Sequence, residues 1–385
     1  MAASYTDNNR MQNRTRVAVV GAGITGRLCA WRLLLAGHQV TVFDKDSVEA
    51  GSAASHVAAG MLAPYSELES SEELIFLLGC NAMGLWQAWT EQLQISNAYQ
   101  RVGTMVVAHA SDQAELFQFK RQLGFKSRSQ QEHAAGDDYC ELDAQSLACL
   151  QPELSGRFSQ AINLPNESYV NPPQVLSALA SAIKHLGGQW QDKTPVIELG
   201  PGWVQTEQKT MSFDTVIDCR GMGANSSAMP LRGVRGEIIE VHAPEVNLTT
   251  MVRLMHPRYR LYLVPRPNHH YVLGATQIET EDYSPASVQS ALELLSALYT
   301  IHPGFAEARI TALRTNCRPA MTDNLPRIYY QAGLIEINGL FRHGYLLAPL
   351  LAGALVNYLQ AWGQSNDRKM FNLIHLLNTY DYHPC

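Results

Sequence analysis

The chain has 385 residues, of which 46% are hydrophobic and 17% charged, so it can form a large core and, by length alone, two domains. Its net charge of −6 and isoelectric point near 6.1 give no electrostatic reason to expect binding to nucleic acid or to an anionic membrane. Seven scattered cysteines lack the spacing of a zinc site or a disulfide framework, so we expect free thiols and no metal site.

The start of the chain is polar and rich in arginine. It contains no apolar stretch, so a secretory signal is not expected, and residues 1–15 are predicted to be a disordered tail. Organelle targeting stays open, because such peptides are rich in arginine and poor in acidic residues. The longest apolar stretch, Leu346 to Leu359, is too short and too interrupted to span a bilayer. We therefore expect a soluble, cytoplasmic protein.

The first predicted elements form a β-α-β unit of about 30 residues, the size of a parallel crossover. Arg16 to Val20 is a short apolar run that predicts a strand, and residues 24–36 carry apolar side chains at helical spacing up to Gly37. Residues 38–43 then alternate as a second strand, which ends at Asp44.

The turn of this unit, Gly21-Ala22-Gly23-Ile24-Thr25-Gly26, fits the dinucleotide-binding pattern GxGxxG. Gly21 permits a tight turn, Gly23 lets a pyrophosphate approach the backbone, and Gly26 lets helix and strand pack closely. Asp44 stands where a carboxylate can accept a hydrogen bond from a ribose hydroxyl, and its charge disfavours NADP. The pattern predicts a dinucleotide cofactor without separating FAD from NAD.

Further elements follow from periodicity and from glycine and proline positions. Helices are predicted at residues 72–93, 112–122, 174–186 and 284–299 and from about residue 348. Strands are predicted at residues 103–108, 194–199, 203–206, 213–219, 237–242, 260–264, 271–275 and 334–337. Segments typical of a parallel sheet occur at the start, middle and end of the chain, with antiparallel patterns between them. This alternation predicts two domains built from interleaved stretches of chain.

Six segments occur in an order that points to a known family. They are SAASHVAAGMLAP at 52–64, ESYVNPP at 167–173, LRGVRGE at 231–237, YLVPR at 262–266 with GAT at 274–276, RPAMTDNLP at 318–326, and FRHGYLLAP at 341–349. In this order they resemble the D-amino acid oxidase superfamily of flavoproteins, especially the glycine oxidases of thiamine biosynthesis. The resemblance covers nearly the whole chain after the tail.

The resemblance implies an α/β fold in which a Rossmann-type, glutathione-reductase-like FAD-binding domain is interleaved with an antiparallel-sheet substrate domain. The FAD-binding domain would comprise residues 16–90, 165–225 and 311–385. The substrate domain would comprise residues 91–164 and 226–310.

The resemblance also implies FAD as the cofactor. The residues that it places around FAD are Gly21, Gly23, Ile24, Thr25, Gly26, Asp44, Lys45, Ala54, Ser55, Ala59, Gly60, Met61, Val196, Gly221, Leu340, Phe341, Arg342, His343, Gly344, Tyr345 and Leu346. His56 and Cys317 do not occupy the positions of covalent tethers, so we expect non-covalent FAD. A helix after Gly344 would direct its N-terminus at the edge of the flavin where negative charge develops on reduction.

The substrate site is implied by the same resemblance. Arg318 corresponds to the arginine that binds the substrate carboxylate, which suits the planar guanidinium. Tyr262 corresponds to a tyrosine whose hydroxyl faces that carboxylate, and Arg342 to a second residue on the substrate side. This chain departs from its relatives elsewhere, because some of them have histidine at Arg260, methionine at Gln277 and histidine at Leu340. If Arg260 and Gln277 face the pocket, it could accept a larger substrate or one with a second anionic group.

The implied reaction is the oxidative deamination of a small amino acid or amine. Hydride would pass from the substrate Cα to flavin N5, and O₂ would accept the electrons to give H₂O₂, an imine and then a 2-oxo acid. Two alternatives stay open: a dehydrogenase that uses a quinone or another carrier, and a flavoprotein that acts on an amine borne by a macromolecule. A homo-oligomeric state is also left open.

Overall fold

The computed structural model of the chain describes residues 15–69, 71–128, 139–224, 229–258, 261–362 and 366–378. The predicted tail up to residue 14 and the residue Arg260 lie outside these ranges. Thr15 is described, and its hydroxyl lies 2.7 Å from Nδ1 of His38.

The helices and strands are numbered in chain order. The strands are β1 (Arg16–Val20), β2 (Gln39–Phe43), β3 (Met61–Leu62), β4 (Tyr99–Arg101), β5 (Thr104–Ala108), β6 (Cys140–Asp143), β7 (Gln160–Leu164), β8 (Ser168–Val170), β9 (Gln189–Gln191), β10 (Val196–Gly200), β11 (Trp203–Thr206), β12 (Thr210–Ser212), β13 (Thr215–Asp218), β14 (Arg232–His242), β15 (Met251–Met255), β16 (Leu261–Arg266), β17 (His270–Gly274), β18 (Arg309–Ala320), β19 (Arg327–Gln331), β20 (Leu334–Asn338) and β21 (Lys369–Met370). The α-helices are α1 (Ile24–Leu35), α2 (Pro64–Glu67), α3 (Glu73–Gln92), α4 (Gln113–Arg128), α5 (Ala144–Leu150), α6 (Pro172–His185), α7 (Val288–Ile301) and α8 (Gly344–Trp362).

The first of the two large sheets has seven strands in the order β21-β19-β20-β13-β1-β2-β9. Its strands from β20 to β9 run parallel, and β19 and β21 pair antiparallel at one edge. The alternating side chains of β1 separate two cores, since Val17 and Val19 pack against helices α1, α3, α6 and α8 while Ala18 and Val20 pack against the small sheet β10-β11-β12. Helices therefore cover one face and a small antiparallel sheet covers the other.

The second large sheet has eight strands in the order β18-β14-β17-β16-β15-β5-β7-β6. Its neighbouring strands pair antiparallel, except that β15 runs parallel to β5. Helix α7 covers one face, where Leu294, Leu298 and Ile301 are buried in a second core. The α/β architecture expected from the sequence, with a Rossmann-type part and a largely antiparallel part, is confirmed.

The domain boundaries remain a proposal. We propose that each domain follows one of the two large sheets. Strand β18 spans the expected boundary at residue 311, and eleven of its twelve residues pair with β14 in the eight-stranded sheet. The first domain would then resume after β18.

The expected helix from about residue 348 begins four residues earlier, at Gly344. Pro349 therefore lies inside helix α8, where it cannot donate a hydrogen bond to the carbonyl of Tyr345. Trp86 of α3 donates its indole N–H to that carbonyl at 2.7 Å and replaces the missing helical bond. The helix continues through a proline because a distant side chain satisfies the freed oxygen.

The expected helix at residues 284–299 is shifted toward the C-terminus and occupies Val288–Ile301. Ser287 caps it by accepting a hydrogen bond from the N–H of Ser290 at 3.1 Å. The preceding residues are held instead by Arg235, which donates to the carbonyls of Asp282 and Pro285.

No helix in the described ranges has both the length and the apolar content needed to cross a membrane. Among the same residues, no three His, Cys, Asp or Glu side chains form a group that could hold a metal ion.

Candidate active site

The glycine-rich turn between β1 and α1 can be formed only by glycine at two positions. Gly21 has φ of 97°, and a Cβ at this residue would lie 2.6 Å from the carbonyl oxygen of Cys219 on β13's C-terminal side. A Cβ on Gly26 would lie 1.8 Å from the carbonyl oxygen of Gly21. These contacts explain why helix α1 starts so close to the sheet, with its first N–H groups at the strand ends.

Asp44 holds this turn from the end of β2. Its carboxylate accepts hydrogen bonds from the N–H of Ala22 and, at 2.8 Å, from the N–H of Asp46. The hydroxyl of Ser55 accepts a hydrogen bond from the N–H of Ile24 at 2.9 Å, so the segment that follows β2 is docked on the N-terminus of α1.

A cavity of about 1250 Å³ runs from the glycine-rich turn to Arg318. Every residue predicted to contact the cofactor lines this cavity except Gly26, which packs the helix against the turn. His56, which was not expected to be a covalent tether, does not line the cavity. The predicted residues on its walls are Gly21, Gly23, Ile24, Thr25, Asp44, Lys45, Ala54, Ser55, Ala59, Gly60, Met61, Val196, Gly221, Leu340, Phe341, Arg342, His343, Gly344, Tyr345 and Leu346. The structure thus brings together segments that lie more than 300 residues apart in the chain.

Hydrogen bonds between distant segments fix the walls of this cavity. Tyr345 donates its hydroxyl to the carbonyl of Ser55 at 3.0 Å, and Arg266 donates to the carbonyl of Ala59. Phe341 has φ of 49°, an unfavourable conformation for a residue with a side chain, just before helix α8. A Cβ built on Gly344 would meet no atom within 4 Å, so the start of α8 faces open space.

These observations fit FAD. The cavity is long enough to join a dinucleotide turn at one end to a substrate site at the other, and two helix N-termini open onto it. The backbone N–H groups of α1 suit a pyrophosphate, and the N-terminus of α8 suits the electron-rich edge of a flavin.

Arg318 lies at the other end of the cavity, on β18. Its guanidinium donates to the carbonyls of Thr276 at 3.2 Å and Arg235 at 3.4 Å, and the hydroxyl of Tyr262 lies within hydrogen-bonding reach. Burial lowers the pKa of Arg318 and raises that of Tyr262, while the proximity of the two groups acts against both shifts. Gly236 leaves room for the guanidinium, because a Cβ there would lie 2.2 Å from its Nη2.

Two further residues near this end of the cavity were named in the sequence analysis. Cys317 is buried and also lines the cavity, and its thiol donates to the carbonyl of Asp282 at 3.4 Å. Gln277 lines the cavity and is exposed.

Glu67 is a residue of this site that the sequence reasoning missed. Its carboxylate accepts a hydrogen bond from Arg342 at 2.9 Å, and its other oxygen lies 3.9 Å from Nδ1 of His343. Burial acts to raise the pKa of Glu67, but the positive charge of Arg342 and smaller contributions from His343 and Arg253 bring it below its usual value. Its position three residues after the segment 52–64 was the available signal.

His343 is held neutral in this site. Burial lowers its pKa to about 4, because desolvation outweighs the attraction of Glu67. Its Nε2 lies 3.3 Å from the hydroxyl of Ser71. With His343 neutral, Glu67 and Arg342 form a balanced pair, whereas Arg318 has no ion pair among the described residues.

Comparisons with known proteins agree with this geometry. The family described as FAD dependent oxidoreductase matches residues 16–358. A protein of Rhizobium etli that carries the provisional name thiamine biosynthesis oxidoreductase ThiO is 38% identical over 89% of this chain and 96% of its own. The glycine oxidase of Geobacillus kaustophilus is 27% identical over 94% of this chain and 97% of its own. A crystal structure of glycine oxidase from the same organism superposes with a TM-score of 0.78, covering 92% of this chain and 96% of that one at 26% identity.

Proposed function

The chain belongs to the FAD-dependent oxidoreductase family, and from this we propose that it catalyses the oxidative deamination of a small amino acid or amine. Its cofactor is FAD. In the proposed reaction the amine becomes an imine, which water hydrolyses to a 2-oxo acid and ammonia, and O₂ accepts the electrons to give H₂O₂. The names of its relatives, glycine oxidase and a thiamine biosynthesis oxidoreductase, support a small amino acid as the substrate.

The observation that carries this proposal is the electrostatic state of Arg318. Among the described residues, no carboxylate lies within ion-pair distance of its guanidinium, which donates to the carbonyls of Arg235 and Thr276 and lies within hydrogen-bonding reach of the Tyr262 hydroxyl. A partly buried cation without a counter-ion at the end of a cavity favours an anionic ligand. A substrate carboxylate would accept two parallel hydrogen bonds from it.

The remaining residues would orient the substrate. The Tyr262 hydroxyl would donate to the same carboxylate, and the Glu67–Arg342 pair would form the adjoining polar wall. Ile238 and Leu261 are buried on the cavity wall and would exclude water from the reacting carbon. Because Arg318 has no carboxylate partner among the described residues, its guanidinium suits a substrate carboxylate.

FAD, when bound, supplies the two-electron acceptance that removes a hydride from the carbon next to the amine. We assign its binding to the predicted residues that line the cavity, with the ADP part at the glycine-rich turn and Asp44. The chain's own contribution is to hold the substrate amine and its carbon in one orientation.

Anaerobic titration of the FAD-loaded protein with amino acids and N-methylated amines tests the proposal. Bleaching of the oxidised flavin absorbance by at least one small amino acid or secondary amine is the expected result. If no compound in either class bleaches the flavin, the proposed activity is wrong.

The electron acceptor requires a separate measurement. The reduced protein is mixed with air-saturated buffer or with a soluble quinone, and flavin reoxidation is followed alongside peroxide release. Fast reoxidation by O₂ with stoichiometric H₂O₂ supports the oxidase. Slow reoxidation in air with fast reoxidation by the quinone would favour the dehydrogenase.

A further inference from the structure

Helix α2, which carries Glu67, is too short to hold its own position. It comprises only Pro64–Glu67, and a single helical turn is unstable in isolation because nucleation fixes several residues for one hydrogen bond. Contacts with the rest of the protein must therefore decide where the Glu67 carboxylate lies.

The residue before Glu67 is bound through all of its polar groups. Glu167 accepts hydrogen bonds from the N–H of Ser66 at 2.6 Å and from its hydroxyl at 2.7 Å, and Arg253 donates to its carbonyl. Glu167 is 0% exposed and Arg253 is 4% exposed. We refer to Ser66, Glu167 and Arg253 as the Ser66 clamp.

The clamp connects α2 to the eight-stranded sheet. Arg253 lies on β15 and also pairs with Glu69 at 2.5 Å, while Glu167 directly precedes β8 and its backbone carbonyl accepts a hydrogen bond from Gly103 at 2.9 Å. Gly103 leads into β5, the strand that pairs with β15. Arg253 on β15, and Glu167 through Gly103, thus fix a one-turn helix whose Glu67 lines the cavity.

Glu67, the residue after Ser66, links the position of helix α2 to the end of the cavity at Arg318. Glu67 binds Arg342 at 2.9 Å, and both residues line the cavity. Arg342 and Glu67 lie close enough to Arg318 and Tyr262 to influence their ionisation. A shift of Ser66 would move the partner of Arg342 and hence the polar wall beside the substrate carboxylate.

Stability alone gives little reason for such an arrangement. Replacing a buried ionic network by apolar side chains is often neutral or stabilising, because the charges must be desolvated. The hydrogen bonds from Glu167 and Arg253 to every polar group of Ser66 instead fix the position of helix α2.

We propose that Glu167, acting through Ser66 and Glu67, is a positioning residue for Arg342 and so for binding of the substrate carboxylate. This inference rests on the proposed function. The probe is acetate, which has a carboxylate and no amine, titrated into the FAD-loaded protein while the flavin absorption spectrum is recorded.

The expected effects separate positioning from folding. Glu167→Ala should raise the dissociation constant of acetate about tenfold, the effect of about one hydrogen bond to a charged group. Glu167→Gln should keep it within about threefold of the wild type, because the amide can accept from the Ser66 N–H and donate to its hydroxyl. Glu141→Ala, which removes an exposed glutamate of β6, is the matched control and should leave it unchanged. If Glu167→Ala does not fold, Ser66→Ala replaces it under the same criteria.

A double-mutant cycle gives the decisive readout. In the Arg342→Lys background, Glu167→Ala should change acetate binding by less than about twofold, since its effect passes through the guanidinium. Equal effects in both backgrounds, or no effect in the wild-type background, would overturn the positioning role while leaving the proposed function intact. A wild-type spectrum that does not respond to acetate at any concentration would overturn the carboxylate site and the positioning role together.

Discussion

Replacing Glu167 by glutamine should remove a large part of the pH dependence of folding stability between pH 5 and pH 8. Burial raises the pKa of this fully buried carboxyl from 4.5 to about 7, even though the nearby Thr104 hydroxyl, the hydrogen bonds from Ser66 and the charge of Arg253 act to lower it. Between these two values the folded protein binds more protons at this position than the unfolded chain does. The free energy of unfolding of the wild type therefore falls as pH rises through this window.

The size of the effect follows from the two pKa values. At about 1.4 kcal/mol per pH unit, the difference between 4.5 and about 7 corresponds to about 3 kcal/mol in total. Because part of this change occurs below pH 5, about 2 to 3 kcal/mol remains between pH 5 and pH 8. Glutamine has nearly the same shape as glutamate and does not titrate, so its contribution to stability is independent of pH.

The assay is urea unfolding at pH 5, 6, 7 and 8 with FAD in fixed excess, for the wild type, Glu167→Gln and the control Glu141→Gln. The difference in unfolding free energy between Glu167→Gln and the wild type should increase by about 2 to 3 kcal/mol from pH 5 to pH 8, and other titrating groups cancel in this difference. Glu141 is 55% exposed at its side chain, so its replacement should change the difference by less than about 0.5 kcal/mol. A Glu167→Gln difference that stays flat across this range would refute the reasoning.

Three further predictions concern the cavity. Arg318→Lys should raise the KM for a carboxylate-bearing substrate about 30- to 100-fold, because the planar two-point contact is lost. The control Arg314→Lys, at an exposed position of the same strand, should leave KM unchanged. An unaltered KM for Arg318→Lys would exclude the carboxylate contact. Asp44→Ala should weaken FAD binding about tenfold, measured by titrating FAD into the apoprotein, since the carboxylate holds the glycine-rich turn; equal affinity would show that the turn needs no such support. His343→Gln should resist acid better than the wild type: the pKa of His343 is lowered to about 4 by burial, so the stability present above pH 6.5 is lost as pH falls toward 4. The pH midpoint of acid unfolding, followed by tryptophan fluorescence, should therefore be lower for the variant, and identical midpoints would count against a buried neutral imidazole.

The sequence by itself determined the local features of the fold. The strand, glycine turn and helix between Arg16 and Leu35 were predicted to within one residue, because hydrophobic periodicity and the need for glycine act over only a few positions. The order of six segments was enough to indicate the family and hence FAD. The residues predicted around the cofactor lie on one cavity for the same reason, since the segments carry their spatial arrangement with the fold.

Only the tertiary structure decided which distant groups meet. The Glu67–Arg342 pair joins residues 275 positions apart, and the bond from Trp86 that lets α8 pass through Pro349 joins residues 259 positions apart. Strand β18 was not predicted, because only two of its twelve residues are buried and its pairing with β14 depends on a partner some 75 residues earlier. Such contacts depend on the packing of whole sheets and helices against one another, and no local pattern of residues records that packing.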